Sequence, residues 1–158
     1  MSRFRHALEP VLRRAFHLYW RFQRGATLGV RGMVIDGDGR VLLIRHTYVP
    51  GWHLPGGGVE TGETMLAALT RELREEGNIE LTGAPVLHGV YFNKQASRRD
   101  HVALFVVRDF RQNGTHKPNF EIAECEFFAR DKLPEGTTKG THARIAEVLD
   151  GAAVSEFW

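Results

Sequence analysis

Three consecutive glycines, Gly56-Gly57-Gly58, close a Gly- and Pro-dominated stretch that leads, through Gly62, into Met65–Glu76, a run with neither Gly nor Pro that favours helix. A glycine-rich loop therefore feeds a helix. Without Cβ atoms in the way, the backbone of such a loop approaches a metal or phosphate closely. On the helix, Glu72, Glu75 and Glu76 stand at i, i+3 and i+4, which at about 100° per residue gathers the three carboxylates into a sector of roughly 100°. Leu66, Leu69 and Leu73 form a neighbouring stripe expected to pack on a sheet while the acids face a cleft. Like charges at i,i+4 cost a few tenths of a kcal/mol, and a hard divalent cation reverses the sign. The competing reading is a solvated helix face, with Arg71 four residues before Glu75 as an ordinary surface pair. Glu63 just ahead of the helix, together with the glycines, favours an oxygen-rich site suited to Mg²⁺ or Mn²⁺.

The remaining chain frames this junction. Thr27–Ile35 and Val41–Arg45 read as two antiparallel strands of a hairpin turned by Asp36-Gly37-Asp38-Gly39. Further strands are expected at Val86–Phe92, His101–Val107 and Glu121–Ala129, and a terminal helix at Thr141–Leu149, with Thr141 as N-cap and Gly151 beyond its end. The body is thus α+β with a mixed or antiparallel sheet, one domain over residues 25–158 of a 158-residue chain. Ahead of it, Leu8, Val11, Leu12, Ala15, Tyr19 and Phe22 recur at helical spacing among arginines, so residues 1–24 read as an amphipathic helix. Its expected place is against the domain or a second subunit, a homodimer included. Contact with a membrane surface and organelle targeting are the alternatives. Those residues hold six Arg against one Glu, which leaves the body at −3 of a formal +2 and argues against broad nucleic-acid binding. A lone Cys125 cannot form an internal disulfide, and no apolar run reaches the roughly 20 residues that span a bilayer, so the cytoplasm is the expected location. None of Ser2, Ser97 and Ser155 lies in a nucleophile elbow, and no Cys/His spacing suits zinc.

Gly57, five residues, Glu63, seven residues and then Arg71-Glu72-Leu73-Arg74-Glu75-Glu76-Gly77-Asn78-Ile79 resembles the Nudix box. Asn78 replaces the final glycine of the pattern; Asn is the non-glycine residue most at ease in the left-handed conformation that ends a helix. Trp52 to Glu60 likewise resembles the family's approach to the box. The resemblance implies a Nudix-like α/β/α sandwich over about residues 25–150. It also implies hydrolysis of a nucleoside diphosphate linked to another moiety X, a small-molecule substrate. By the same resemblance Glu72, Glu75, Glu76 and the Gly56 carbonyl would hold Mg²⁺ or Mn²⁺. Arg71 would orient Glu72, and Glu63 would support the loop. Water then attacks phosphorus with no protein nucleophile, in keeping with the missing Ser and Cys machinery.

The family draws its general base from the box or from a later loop, so Glu121 is the leading candidate and Glu124 the second. Lys94, Arg98 and Arg99, between two expected strands, are candidates to grip phosphate or X, against a plain solvated loop. Tyr48, Trp52, Phe92 and Phe120 are stacking candidates, although aromatic residues in a small domain more often build core. Cys125 alternates with apolar neighbours as a buried strand residue does. Beside the metal-dependent pyrophosphohydrolase stand two other readings: a Nudix-fold nucleotide-binding or regulatory module with little turnover, and a membrane-associated hydrolase that would rest on the first helix alone.

Overall fold

The computed structural model describes residues 13, 14, 16, 18–20, 25–114 and 116–158. Its elements are β1 (Thr27–Val34), β2 (Val41–His46), β3 (Trp52–His53), α1 (Met65–Gly77), β4 (Ile79–Leu81), β5 (Val86–Phe92), β6 (Asp100–Val107), β7 (Phe110–Gln112), β8 (Ile122–Phe128), a single 3₁₀ turn at Arg130–Lys132, and α2 (Lys139–Leu149).

Strand alternation divides the core in two. Val30 and Val34 of β1, Leu42 of β2 and Ala103, Phe105 and Val107 of β6 gather with Ala68, Leu69 and Leu73 of α1. Their strand neighbours Met33, Val41, Leu43 and Leu104 gather instead with Trp52, Leu54, Tyr91 and Ile145 of α2. Both faces are covered by a helix, which gives the α/β/α sandwich expected from the box. Leu66 departs from the anticipated stripe and is exposed, because Ala68 takes the contact with the sheet.

The hairpin expectation fails in an instructive way. The Asp36–Arg40 turn forms, with Asp36 accepting from the Asp38 and Arg40 amides, but beyond it the two strands pair only through the Ile35–Val41 bridge. β1 runs parallel to β6, which pairs antiparallel with β5. β2 pairs antiparallel with β3 and β8. The β1-β6-β5 sheet is mixed, because long-range pairing outweighs the local turn, while the β3-β2-β8 sheet is antiparallel throughout. The N-cap of α2 is Thr138, not Thr141: the Thr138 hydroxyl accepts from the Thr141 amide, and the Thr141 hydroxyl shares a hydrogen bond with it.

The glycine loop closes the other edge of β1. The Val30 amide donates to Gly57 O at 2.8 Å, the Gly32 amide to Pro55 O at 2.8 Å, and the Val59 amide to Leu28 O at 2.8 Å. Of the first helix, residues 13, 14, 16 and 18–20 are helical, and Tyr19 is 55% exposed. The other positions of its expected apolar stripe lie outside the described residues. Among the described residues no helix is long and apolar enough to cross a membrane.

Candidate active site

The helix α1 starts at Thr64, whose hydroxyl accepts from the Ala67 amide, and ends at Asn78 in the left-handed conformation, φ 55°. Between these caps the acids are held at different depths. The side chain of Glu76 is 5% exposed, that of Glu72 14% and that of Glu75 55%. The one helical sector therefore splits into two inner carboxylates and an outer one.

Both inner carboxylates meet the glycine loop. A Glu76 oxygen accepts from the Gly56 amide at 2.6 Å. The Glu72 carboxylate lies so close to Gly57 that a Cβ there would stand 2.3 Å from its Oε1. Gly56, at φ 140°, could not carry a side chain either, since its Cβ would lie 2.1 Å from Val30 O.

Arg71 fixes the outer wall. Its guanidinium donates to both oxygens of Glu63, at 3.1 and 3.0 Å, to Glu72 Oε1 at 2.6 Å and to Gly58 O at 3.2 Å. The Glu63 hydrogen bonds raise Arg71 above the ordinary guanidinium value and in turn hold Glu63 below the usual carboxylate range. Arg31 of β1, which sequence reading did not single out, donates to Leu54 O at 3.0 Å and Gly56 O at 2.6 Å. The Gly56 carbonyl keeps a second lone pair. Burial lowers the Arg31 value, and the nearby Glu76 and Glu72 charges oppose that shift. A single Arg within an apolar strand was the signal available.

Burial also pushes Glu76 up to about 8, and the Gly56 amide and Arg31 only partly offset it. Two further groups stand near Glu76. His46 ends β2 on the face shared by Leu42, with Nε2 3.9 Å from Glu76 Oε1. His46, Glu76 and Glu121 each offer a ligand atom within 4.8 Å of the others. Glu121 is held from both sides: the Thr47 amide donates to its carbonyl at 2.9 Å and the Tyr48 hydroxyl to its Oε1 at 3.2 Å. Glu124 points elsewhere, paired across the strands with Arg45.

A cavity of about 650 Å³ opens beside the loop, lined among others by Arg31, Gly57, Gly58, Asn93, Asp100 and Trp158. Asn93 and Asp100 come from the loop that carries Lys94, Arg98 and Arg99, but those three cations do not line it. Lys94 lies over the Phe157 ring, 4.6 Å from its centre. Of the stacking candidates, Trp52 is core, edge-on to Phe128. Phe92 packs on His101 and Phe157, while Tyr48 and Phe120 are exposed. Cys125 is partly buried, and burial pushes its thiol up to about 12.

Taken together, Glu72, Glu75, Glu76 and the Gly56 carbonyl would offer the oxygen donors that suit a hard divalent cation. Gly57 gives the Glu72 carboxylate the space a Cβ would take, and burial raises Glu76, a cost that a bound cation would offset.

The NUDIX domain model matches residues 25–149, and the chain belongs to the NUDIX family, a class of hydrolases that act on pyrophosphate bonds. It is 33% identical over 126 residues to a MutT-like protein from Streptomyces ambofaciens, covering 80% of this chain and 79% of that protein. It is 34% identical over 105 residues to an ADP-ribose pyrophosphatase from Methanocaldococcus jannaschii, covering 65% of this chain and 62% of the relative. Among solved structures, a MutT NUDIX hydrolase from Burkholderia pseudomallei superposes with a TM-score of 0.66 at 26% identity, over 78% of this chain and 98% of that one.

Proposed function

We propose that this chain hydrolyses the pyrophosphate bond of a nucleoside diphosphate linked to a second moiety, using Mg²⁺ or Mn²⁺. The observation that carries the reading is the convergence of Glu72 and Glu76 on the Gly56-Gly57 backbone, beside a cavity of about 650 Å³. Glu72, Glu75, Glu76 and the Gly56 carbonyl would hold the cation. When bound, it supplies charge neutralisation for the diphosphate and a more acidic water.

The chain's own groups do the rest. Arg71 holds Glu72 in place through a bond of 2.6 Å. Arg31 and the β1 amides fix the loop, so the site needs little reorganisation when substrate arrives. Glu121 accepts the proton of the attacking water, and its carboxylate is oriented by Tyr48. Lys94, Arg98 and Arg99, on the loop whose Asn93 and Ala96 line the cavity, would attract the anionic substrate or meet its distal group. The cytoplasm is the proposed location.

The test is turnover of a panel of nucleoside diphosphate derivatives, ADP-ribose among them, with Mg²⁺, with Mn²⁺ and with chelator. Cleavage at the diphosphate that stops in chelator and returns with either ion is expected. Turnover indifferent to EDTA would sink the reading.

A further inference from the structure

The box accounts for the carboxylates around Glu76 but not for the imidazole facing it. His46 is nine-tenths buried, with a side-chain exposure of 10%, and its Nδ1 has no hydrogen-bond partner. Its Nε2, 3.9 Å from Glu76 Oε1, is beyond hydrogen-bond reach. The orphan is Nδ1; Nε2, the nitrogen on the Glu76 side, is the one that a cation between the ring and the carboxylates would satisfy.

The backbone is built to keep it there. The pairing of β2 with β8 slips between Arg45 and His46: Arg45 faces Glu124, His46 faces Ile122, and Ala123 is the extra residue. A bulge of this kind bends a strand and re-aims the side chains beside it. The extra residue is on β8, so β2 alternates as usual and turns Arg45, paired with Glu124, outward and His46 toward Glu76. The His46 ring is further bracketed by Tyr48 and His53, with ring centres 5.5 and 5.9 Å away.

Resting on the proposed function, we infer that His46 supplies a nitrogen ligand to a divalent ion shared with Glu76 and Glu121, so that this seat takes a first-row transition ion such as Mn²⁺ or Co²⁺ ahead of Mg²⁺. Imidazole nitrogen favours transition ions, whereas an all-oxygen set suits Mg²⁺. Ligation and proton acceptance by Glu121 are compatible, because a carboxylate carries two oxygens and several lone pairs.

The experiment adds Mn²⁺ or Mg²⁺ alone to the full chain and reads binding by calorimetry, with pulsed EPR of the Mn²⁺ complex. Wild type is expected to show ¹⁴N coupling to Mn²⁺ that changes on ¹⁵N-histidine labelling. His46→Asn should lose the coupling and weaken Mn²⁺ at least about tenfold, with a smaller change for Mg²⁺. His53→Asn, whose ring nitrogen is engaged with Pro50 O, should keep the coupling. Mn²⁺ bound without nitrogen coupling in wild type overturns the His46 assignment and leaves the hydrolase reading standing. Failure of wild type to bind either ion overturns both. The wild-type spectrum decides even if His46→Asn does not fold.

Discussion

Glu76 is where burial and charge are in sharpest conflict. Its folded value of about 8 lies above the ordinary 4.5, so in metal-free protein the folded state holds its proton more tightly than the unfolded state. The stability this contributes is present at pH below the ordinary value and is lost as pH rises through about 8. In chelator the melting temperature should therefore fall between pH 5 and 9 (~ values bracketing both states), and Glu76→Gln should flatten that slope. A slope unchanged in Glu76→Gln would place the titration elsewhere. In Mg²⁺, Glu75→Gln and Glu76→Gln should each lower hydrolysis by orders of magnitude without unfolding the chain, checked by circular dichroism alongside initial rates. Asn78, at φ 55°, gives a third expectation at this scale. Asn78→Gly should be neutral or mildly stabilising, and a β-branched Asn78→Val should cost on the order of 1 kcal/mol or more in urea unfolding.

Among the elements, α2 couples the C-terminal segment to the sheet through a buried charge pair. Arg144 donates to Glu147 Oε1 at 2.6 Å and to Phe157 O at 2.8 Å, and the Tyr91 hydroxyl donates to Glu147 Oε2 at 2.7 Å. Removing one partner leaves the other charge buried, so Glu147→Ala should cost about 3–5 kcal/mol in denaturant unfolding, far more than loss of a surface pair. The elements also show what was legible beforehand. The bounds of α1 and its Asn78 end followed from local signals: a glycine loop, a run without helix breakers and a residue tolerant of positive φ. The parallel pairing of β1 with β6 left no such local trace, and the Asp-Gly turn spoke for a hairpin. β4 and β7 are too short for alternation to register. Glu121 was reached through the family resemblance, which sets an acid or base in a later loop at the entry to the last strand, outside the box. Arg31 was missed because one polar residue in an apolar strand has no period, and His46 because it falls just past the expected Val41–Arg45 strand; only the tertiary contacts show what each faces.

At the scale of the whole molecule, the buried hydrophobic core among the described residues begins at Val30, and the family match begins at residue 25. A chain of residues 25–158 should therefore fold cooperatively and keep the proposed cation-dependent hydrolysis, measured by thermal melting and turnover against the full chain. Loss of a cooperative transition in the truncated chain would make the first 24 residues part of the folding unit.

The loop that carries Gly56 and Gly57 has a second consequence through its bonds to β1. Those bonds occupy amides that would otherwise form an open strand edge, the surface on which β-proteins template fibres and swapped dimers. Gly56→Ala, which drives a Cβ into Val30 O, would eject the loop and lay that edge bare. The segment that shapes the candidate pocket would then also keep that edge covered, and damage to it should surface as precipitation as well as lost turnover.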